Sequence, residues 1–339
     1  MKLFVFGDFF YDLNGTAEDL TEIGRRIREK NARVIVNLEG PITPDGGKGI
    51  LKRGIRLNQG RDSIEALKCL NVSGVTLANN HIFDYGEKGL FDTIESLDKE
   101  GIKHCGAGKN LKEAIRPMVF TEDKEKAAVF SFGWGIEETV YAGNNRPGSA
   151  PRENGIVLDT LREYASSHPD EKILVIMHWG FEKNSYPLPY DIDLARKILS
   201  IKNVISLIGH HSHCPQPFEV YKGKSVYYSL GNFYFGSKRK NYRGDTEQYG
   251  IGVLLDTESL ETEHYILEYD LNSDRSFFSD RDDVLSLLPD MDCFSKEYEE
   301  LVKRTARKKN PVPGAESLKN RLKLLTYNAR RNMKRYLGV

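Results

Sequence analysis

Val204-Ile205-Ser206-Leu207-Ile208-Gly209-His210-His211-Ser212-His213 is the stretch on which the fold turns. Five residues, four of them apolar, run into a glycine and then into three histidines within four positions. A short apolar run that stops so abruptly reads as a buried strand with polar groups at its carboxyl end, where α/β sheets build their sites.

The same grammar recurs upstream. Residues 3–6, 34–38, 75–77, 129–132 and 173–177 are further short apolar runs, expected as buried strands. Four polar ends follow such runs: Gly7-Asp8, Leu38-Glu39-Gly40, Asn79-Asn80-His81 and His178-Trp179-Gly180. Between the runs, residues 17–30, 64–70, 87–99, 155–165 and 194–199 have the spacing of surface helices. That alternation is α/β (α+β) logic. After residue 208 the pattern changes to strands without intervening helices, at 226–230, 250–255 and 264–267, which predicts a second sheet packed on the first.

Composition excludes several classes. At 339 residues the chain is long enough for one large α/β domain, or a main domain with an appendage. No run reaches the roughly 18 to 20 apolar residues needed to cross a bilayer. Met1-Lys2-Leu3-Phe4-Val5-Phe6 breaks off at Gly7-Asp8, too early for a secretory signal, so the expected location is cytoplasmic. Cys69, Cys105, Cys214 and Cys293 form no CxxC pair, which argues against a thiolate zinc site and a disulfide framework. The formal charge is zero, yet residues 303–335 hold twelve Lys or Arg against the single Glu316. From Ser317, Leu318, Leu322, Leu325, Ala329, Met333 and Leu337 fall on one helical face among basic residues. Such a helix either docks on the acidic remainder of the chain or lies peripherally on an anionic membrane face. No aromatic-interleaved motif accompanies the charge, so nucleic acid is not expected as a partner.

One polar strand end means little, since a Gly-Asp after a strand is usually a turn and a lone His is usually hydrogen-bonded. Five together predict a shared site. Oxygen and imidazole ligands without thiolate suit one or two divalent ions such as Mn, Zn or Fe. Two ions sharing a carboxylate would clamp the attacking and leaving oxygens of phosphoryl transfer.

Several stretches, in order, carry a family resemblance: Asn37-Leu38-Glu39-Gly40-Pro41-Ile42-Thr43; Leu77-Ala78-Asn79-Asn80-His81 through Asp84-Tyr85-Gly86; His178-Trp179-Gly180 with Glu182; and the His210 segment followed by Ser229-Leu230-Gly231-Asn232-Phe233. Over residues 1–255 the sequence resembles the capsule-synthesis CapA (poly-γ-glutamate biosynthesis) proteins, a branch of the calcineurin-like metallophosphoesterases. The resemblance implies a four-layer αββα sandwich of two mixed sheets flanked by helices. It divides the chain into a domain at 1–270 and a helical, basic extension at 271–339.

It further implies that Glu39 bridges two metals, that Asn80, His178 and His211 complete one shell, and that Asp8 and His213 hold the other ion. Superfamily members usually carry Asp-x-His in the first motif. Here Asp8-Phe9-Phe10 has an apolar ring in place of that His, which the CapA branch also lacks, leaving the ion a ligand short. His81, next to Asn80, would donate a proton to the leaving oxygen. Asp84 either orients His81 or serves as a helix cap or turn residue. Asn79, His210, Glu182 and Asn232 are substrate-facing candidates; His210 and Asn232 also read as structural, Glu182 as a solvated carboxylate, and Trp179 as packing. Lys52-Arg53 with Arg56, and Lys238-Arg239-Lys240 with Arg243, would supply cations at the mouth for an anionic small-molecule or polymer substrate. The function so implied is phosphoester hydrolysis in a surface-polymer pathway. Amide cleavage or transfer on a glutamyl polymer, and a non-catalytic membrane-associated accessory of polymer synthesis or export, are the rival readings.

Overall fold

Strand β1 (Lys2–Phe10) sets the layering by its alternation. Phe4 and Phe6 pack with Leu20, Ile23, Ile27 and Leu67 on the helical side, whereas Leu3 and Val5 pack with Leu174, Ile176 and Ile208 of the opposite sheet. Period-2 side chains thus feed two cores from one strand. Full burial of each such residue contributes roughly 1.5–3 kcal/mol. The computed structural model describes residues 1–12, 17–44, 46–52, 54–135, 139–236, 248–272, 275–281, 285–286 and 288, with residues 17–19 described by backbone alone.

On one side of β1 lie β2 (Arg33–Leu38), β3 (Val72–Thr76) and β4 (Lys103–Cys105), all parallel. The second sheet is centred on β7 (Glu125–Gly133), β9 (Lys172–His178), β10 (Val204–His210) and β12 (Lys224–Tyr227), again parallel, with antiparallel edges β6 (Met118–Glu122) and β11 (Phe218–Tyr221). A small ribbon pairs β5 (Ala107–Gly108) with β8 (Gly148–Ser149). The first sheet is completed by β13 (Asn232–Phe235), parallel to the far end of β1, and by antiparallel β14 (Tyr249–Asp256), β15 (Thr262–Asp270) and β16 (Arg275–Ser279).

Helices α1 (Ala17–Arg28), α2 (Asp62–Cys69) and α3 (Gly86–Lys99) cover the first sheet. The one-turn α4 (Leu111–Ala114) begins at Asn110, whose side chain accepts from the Glu113 amide. Helices α5 (Asn154–Ser167) and α6 (Pro189–Leu199) lie against the second sheet; Tyr164 packs edge-on to Phe130, and α6 opens on a proline, which needs no amide partner there. The result is the expected αββα sandwich of two mixed sheets.

Two expectations are corrected. The strands after residue 208 do not build a sheet of their own. The second sheet already holds β7, β9 and β10, while β14 returns to pair Leu255 with Leu3 and Val253 with Val5, placing all four in the inter-sheet core. The boundary at 270 also falls too early: β16 pairs with β15 from Ile266 to Asp270, and the first compact unit runs Met1–Cys293. The basic helix expected from Ser317 lies outside the described residues. Among the described residues no helix is long and apolar enough to cross a membrane.

Candidate metal centre

The strand order brings distant polar ends to one edge. His178 pairs with both Gly133 and His210 at the ends of β9, β7 and β10, and Asp8 registers with Asn37 and Asn232. Close approach makes this work at Gly7, where a Cβ would lie 1.8 Å from the Gly231 carbonyl oxygen. The Asp8 amide instead donates to that oxygen at 3.1 Å. Glu39 leaves β2 with its amide bonded to the Phe9 carbonyl at 2.9 Å. Beyond β10 the backbone turns through φ +93° at His211 and +57° at His213, a left-handed region that costs a non-glycine residue about 1–3 kcal/mol.

Two ligand groups result, sharing one carboxylate. Glu39, His178 and His211 offer one set of donor atoms, and Asp8, Glu39 and His213 the other; within each set the atoms lie within 4.8 Å of one another. Asn80 joins the first set, its Oδ1 3.0 Å from His178 Nε2. Glu39 Oε1 is 4.0 Å from His178 Nε2 and 3.9 Å from His213 Nε2, and Asp8 Oδ2 is 3.6 Å from His213 Nδ1.

The donors are chemically ready for a cation. Both Glu39 oxygens and both His211 ring nitrogens are buried without a hydrogen-bond partner among the described residues. Leaving a buried carboxylate in such low-dielectric surroundings is costly unless a positive charge meets it. Burial, reinforced by Asp8 and Glu182, pushes the Glu39 carboxyl well above its usual range. Burial, then the neighbouring imidazoles, pushes His178 and His211 well below the ordinary histidine value. Neutral rings are what a metal requires.

His81 lies at the rim, its Nε2 3.9 Å from Glu39 Oε1 and its Nδ1 2.6 Å from Asp84 Oδ2. Asp84 is not the cap of α3, where Tyr85 stands at the N-cap position without a side-chain cap bond. Its other oxygen, Oδ1, accepts from Lys52 Nζ at 2.9 Å, and Oδ2 also accepts from the Leu57 amide at 2.8 Å.

Several expected substrate contacts are placed differently. Asn79 is fully buried and donates to the Leu38 carbonyl at 2.8 Å while accepting from the His81 amide at 3.1 Å, so its groups hold the turn instead of facing substrate. His210 is fully buried at the end of β10 against the Phe6 backbone, and burial lowers its pKa. Asn232 places its Oδ1 2.9 Å from His213 Nδ1 and donates to the His213 carbonyl at 3.2 Å, which turns the far ring nitrogen toward Glu39. Lys52 points inward, not to the mouth. Arg56 is exposed and donates to the Ile50 carbonyl at 3.1 Å. Glu182 is exposed on a loop tied down by the Lys183 amide to the Ser212 carbonyl, close enough for its charge to act on Glu39. Trp179 is packed, its Nε1 donating to the Tyr228 carbonyl. Phe10 fills the space beside the second ligand group, 5.5 Å from Phe235, whose ring meets His213 edge-on at 4.9 Å. Arg53, Lys238, Arg239, Lys240 and Arg243 lie outside the described residues.

Sequence alone does not single out Asn37. Buried on β2, it donates to Asp8 Oδ1 at 2.7 Å and faces His178 Nδ1 at 3.4 Å. A polar residue inside the apolar run Val34-Ile35-Val36-Asn37-Leu38, two before Glu39 and hence on its face of the strand, is the signal that could have found it.

Comparison with known proteins gives matches to one family and to several solved structures. A family model described as bacterial capsule synthesis protein PGA_cap matches residues 11–237. The PGA biosynthesis protein CapA of Bacillus subtilis is 32% identical over 200 residues, covering 59% of this chain and 52% of that protein. A probable polyglutamine synthesis accessory protein of Mycobacterium tuberculosis is 31% identical over 207 residues, covering 58% and 54%. The chain thus spans about half the length of the curated relatives it matches. Among solved structures, a 5'-nucleotidase precursor from Thermus thermophilus aligns with a TM-score of 0.49 at 15% identity, over 91% of this chain and 59% of that one.

Proposed function

Because this chain belongs to the PGA_cap family of bacterial capsule synthesis proteins, we propose that it is a metal-dependent phosphoesterase acting on an anionic intermediate of surface-polymer synthesis. The observation that carries this reading is Glu39, whose two buried, unpartnered oxygens stand at the shared corner of two ligand groups among the described residues. Glu39, Asn80, His178 and His211 would hold one divalent ion, and Asp8, Glu39 and His213 the second. Bound there, such ions supply Lewis-acid polarisation of a phosphoryl oxygen and a nucleophile usable near neutral pH.

The chain's own residues supply the rest. His81 holds a proton at Nε2 for the departing oxygen, and Asp84 fixes the ring through Nδ1. Asn37 and Asn232 hold Asp8 and His213 in place as hydrogen-bonding supports. The 303–335 segment, with its twelve cations, docks on an anionic membrane face, where such a surface would present a polymer precursor.

The test is metal analysis of the purified protein followed by assay on a phosphoester panel with added Mn. A protein that takes up no metal, or one inactive on every phosphoester, overturns the reading. Cleavage of glutamyl amides with no phosphoester turnover transfers the same centre to amide chemistry. Flotation with anionic vesicles that is unchanged by deleting residues 303–339 removes the membrane role of the tail.

A further inference from the structure

The loop carrying Lys52 is inverted in polarity. Leu51 and Ile55 are 65% and 64% exposed, while the Lys52 side chain is fully buried. Apolar burial alone would choose the opposite arrangement. The inner end must therefore favour the ammonium strongly, and its neighbours there are explicit. Nζ donates to Asp84 Oδ1 at 2.9 Å and to the Asn80 carbonyl at 3.1 Å, and lies 3.1 Å from His81 Nδ1.

We infer that Lys52 is a positioning residue that holds both ends of the 80–84 turn and thereby aims metal ligand Asn80 and proton donor His81; this rests on the metal-centre reading above. The ammonium ties the main chain of the turn's first residue to the side chain of its last. The Leu57 amide on Asp84 and the Ile50 amide on the Asp84 carbonyl, both at 2.8 Å, fasten the lysine's own loop to the same aspartate. With both ends tied, Asn80 Oδ1 stays directed at His178 and His81 Nε2 at Glu39. Losing the ammonium leaves the Asn80 carbonyl and one Asp84 oxygen without this donor, and the turn is free to rotate its side chains away. Lys52 touches neither substrate nor ion in this role.

The experiment compares wild type, Lys52→Met and the charge-balanced double variant Lys52→Met/Asp84→Asn, with Asn80→Ala as the reference. Mn2+ affinity is measured by calorimetry, and Co2+ replacement gives a visible spectrum that reports ligand geometry. The expected result is a dissociation constant raised about 10- to 100-fold for the ion served by Asn80, the range for residues supporting a ligand. The Co2+ bands should shift in the direction seen with Asn80→Ala, and the ion served by Asp8 and His213 should be affected far less. Variants that unfold cooperatively yet bind Mn2+ and colour with Co2+ as wild type does overturn the inference. Lys52→Met protein that does not fold also counts against it, since Lys52 would then be a requirement of the fold. Wild-type protein that takes up no Mn2+ overturns the metal-centre reading itself, a different failure.

Discussion

His178 Nε2 stands 3.0 Å from Asn80 Oδ1, across 98 residues of sequence. Two donors each about 2.1 Å from one ion and about 90° apart would be separated by about 3.0 Å. The pair is hydrogen-bonded at this separation, which is also the spacing of adjacent vertices in a coordination shell, with Glu39 Oε1 at 4.0 Å from the same nitrogen. Asn80→Ala and His178→Ala are each expected to lower Mn2+ affinity by more than the roughly 10- to 100-fold typical of supporting residues. Calorimetric titration checks this, and wild-type affinity in either variant would contradict it.

Glu39→Gln removes the charge common to both ligand groups. Metal uptake at both positions should collapse together, read as stoichiometry by elemental analysis. In wild type, Mn2+ at about 100 times its dissociation constant stabilises by about 2.7 kcal/mol, so the melting temperature rises with added metal. Glu39→Gln should show no such rise.

His81→Ala removes the proposed proton donor without touching the ligand sets. On a phosphoester with a poor leaving group, kcat is expected to fall about 10²- to 10⁴-fold. Metal content should stay at the wild-type level. Unchanged turnover would remove His81 as the proton donor, whereas unchanged support of polymer synthesis in cells would favour a non-catalytic accessory.

Phe10→His tests whether an imidazole at position 10 can join the second ligand group. The ring is 4% exposed and packed with Leu57, Phe235 and Tyr269, and Phe235 in turn meets the His213 ring. An imidazole there is expected to tighten the second ion while lowering stability through lost packing, by about 1–3 kcal/mol. Two-site Mn2+ titration and thermal melting separate the effects. A second ion bound no more tightly would mean that residue 10 cannot reach it.

Cys105 offers a test independent of metal. Burial pushes its thiol up to about 12, whereas Cys69 is half-buried. Iodoacetamide at about pH 8 should label Cys69 and leave Cys105 unmodified until the protein unfolds. Mass spectrometry of peptides decides it.

Much of the centre was legible because strand ends are abrupt. Glu39, Asn80, His178, His211 and His213 lie at or soon after the end of a strand, and a buried strand must release its polar residues where the sheet stops; Asp8 also follows an apolar run but sits within β1, which continues to Phe10. Asn79 shows the limit. It sits beside Asn80 in an identical context, yet its amide is consumed by the Leu38 carbonyl, a contact that depends on where β2 runs relative to the turn after β3. Lys52 and Arg56 show it again: close together on one loop, one is buried on Asp84 and the other is exposed.

The sequence by itself determined the central strands, the longer helices and the donor chemistry, because apolar period and residue type are local properties. Tertiary structure decided which donors meet. Whether β14 returns to β1, whether Lys52 turns inward, and whether Asn232 faces substrate or His213 all depend on contacts between segments far apart in the chain. A lysine, an asparagine or a strand reads the same in sequence whether it packs inward or outward. The difference lies in the neighbours that can meet its charge or hydrogen bonds, and folding supplies those.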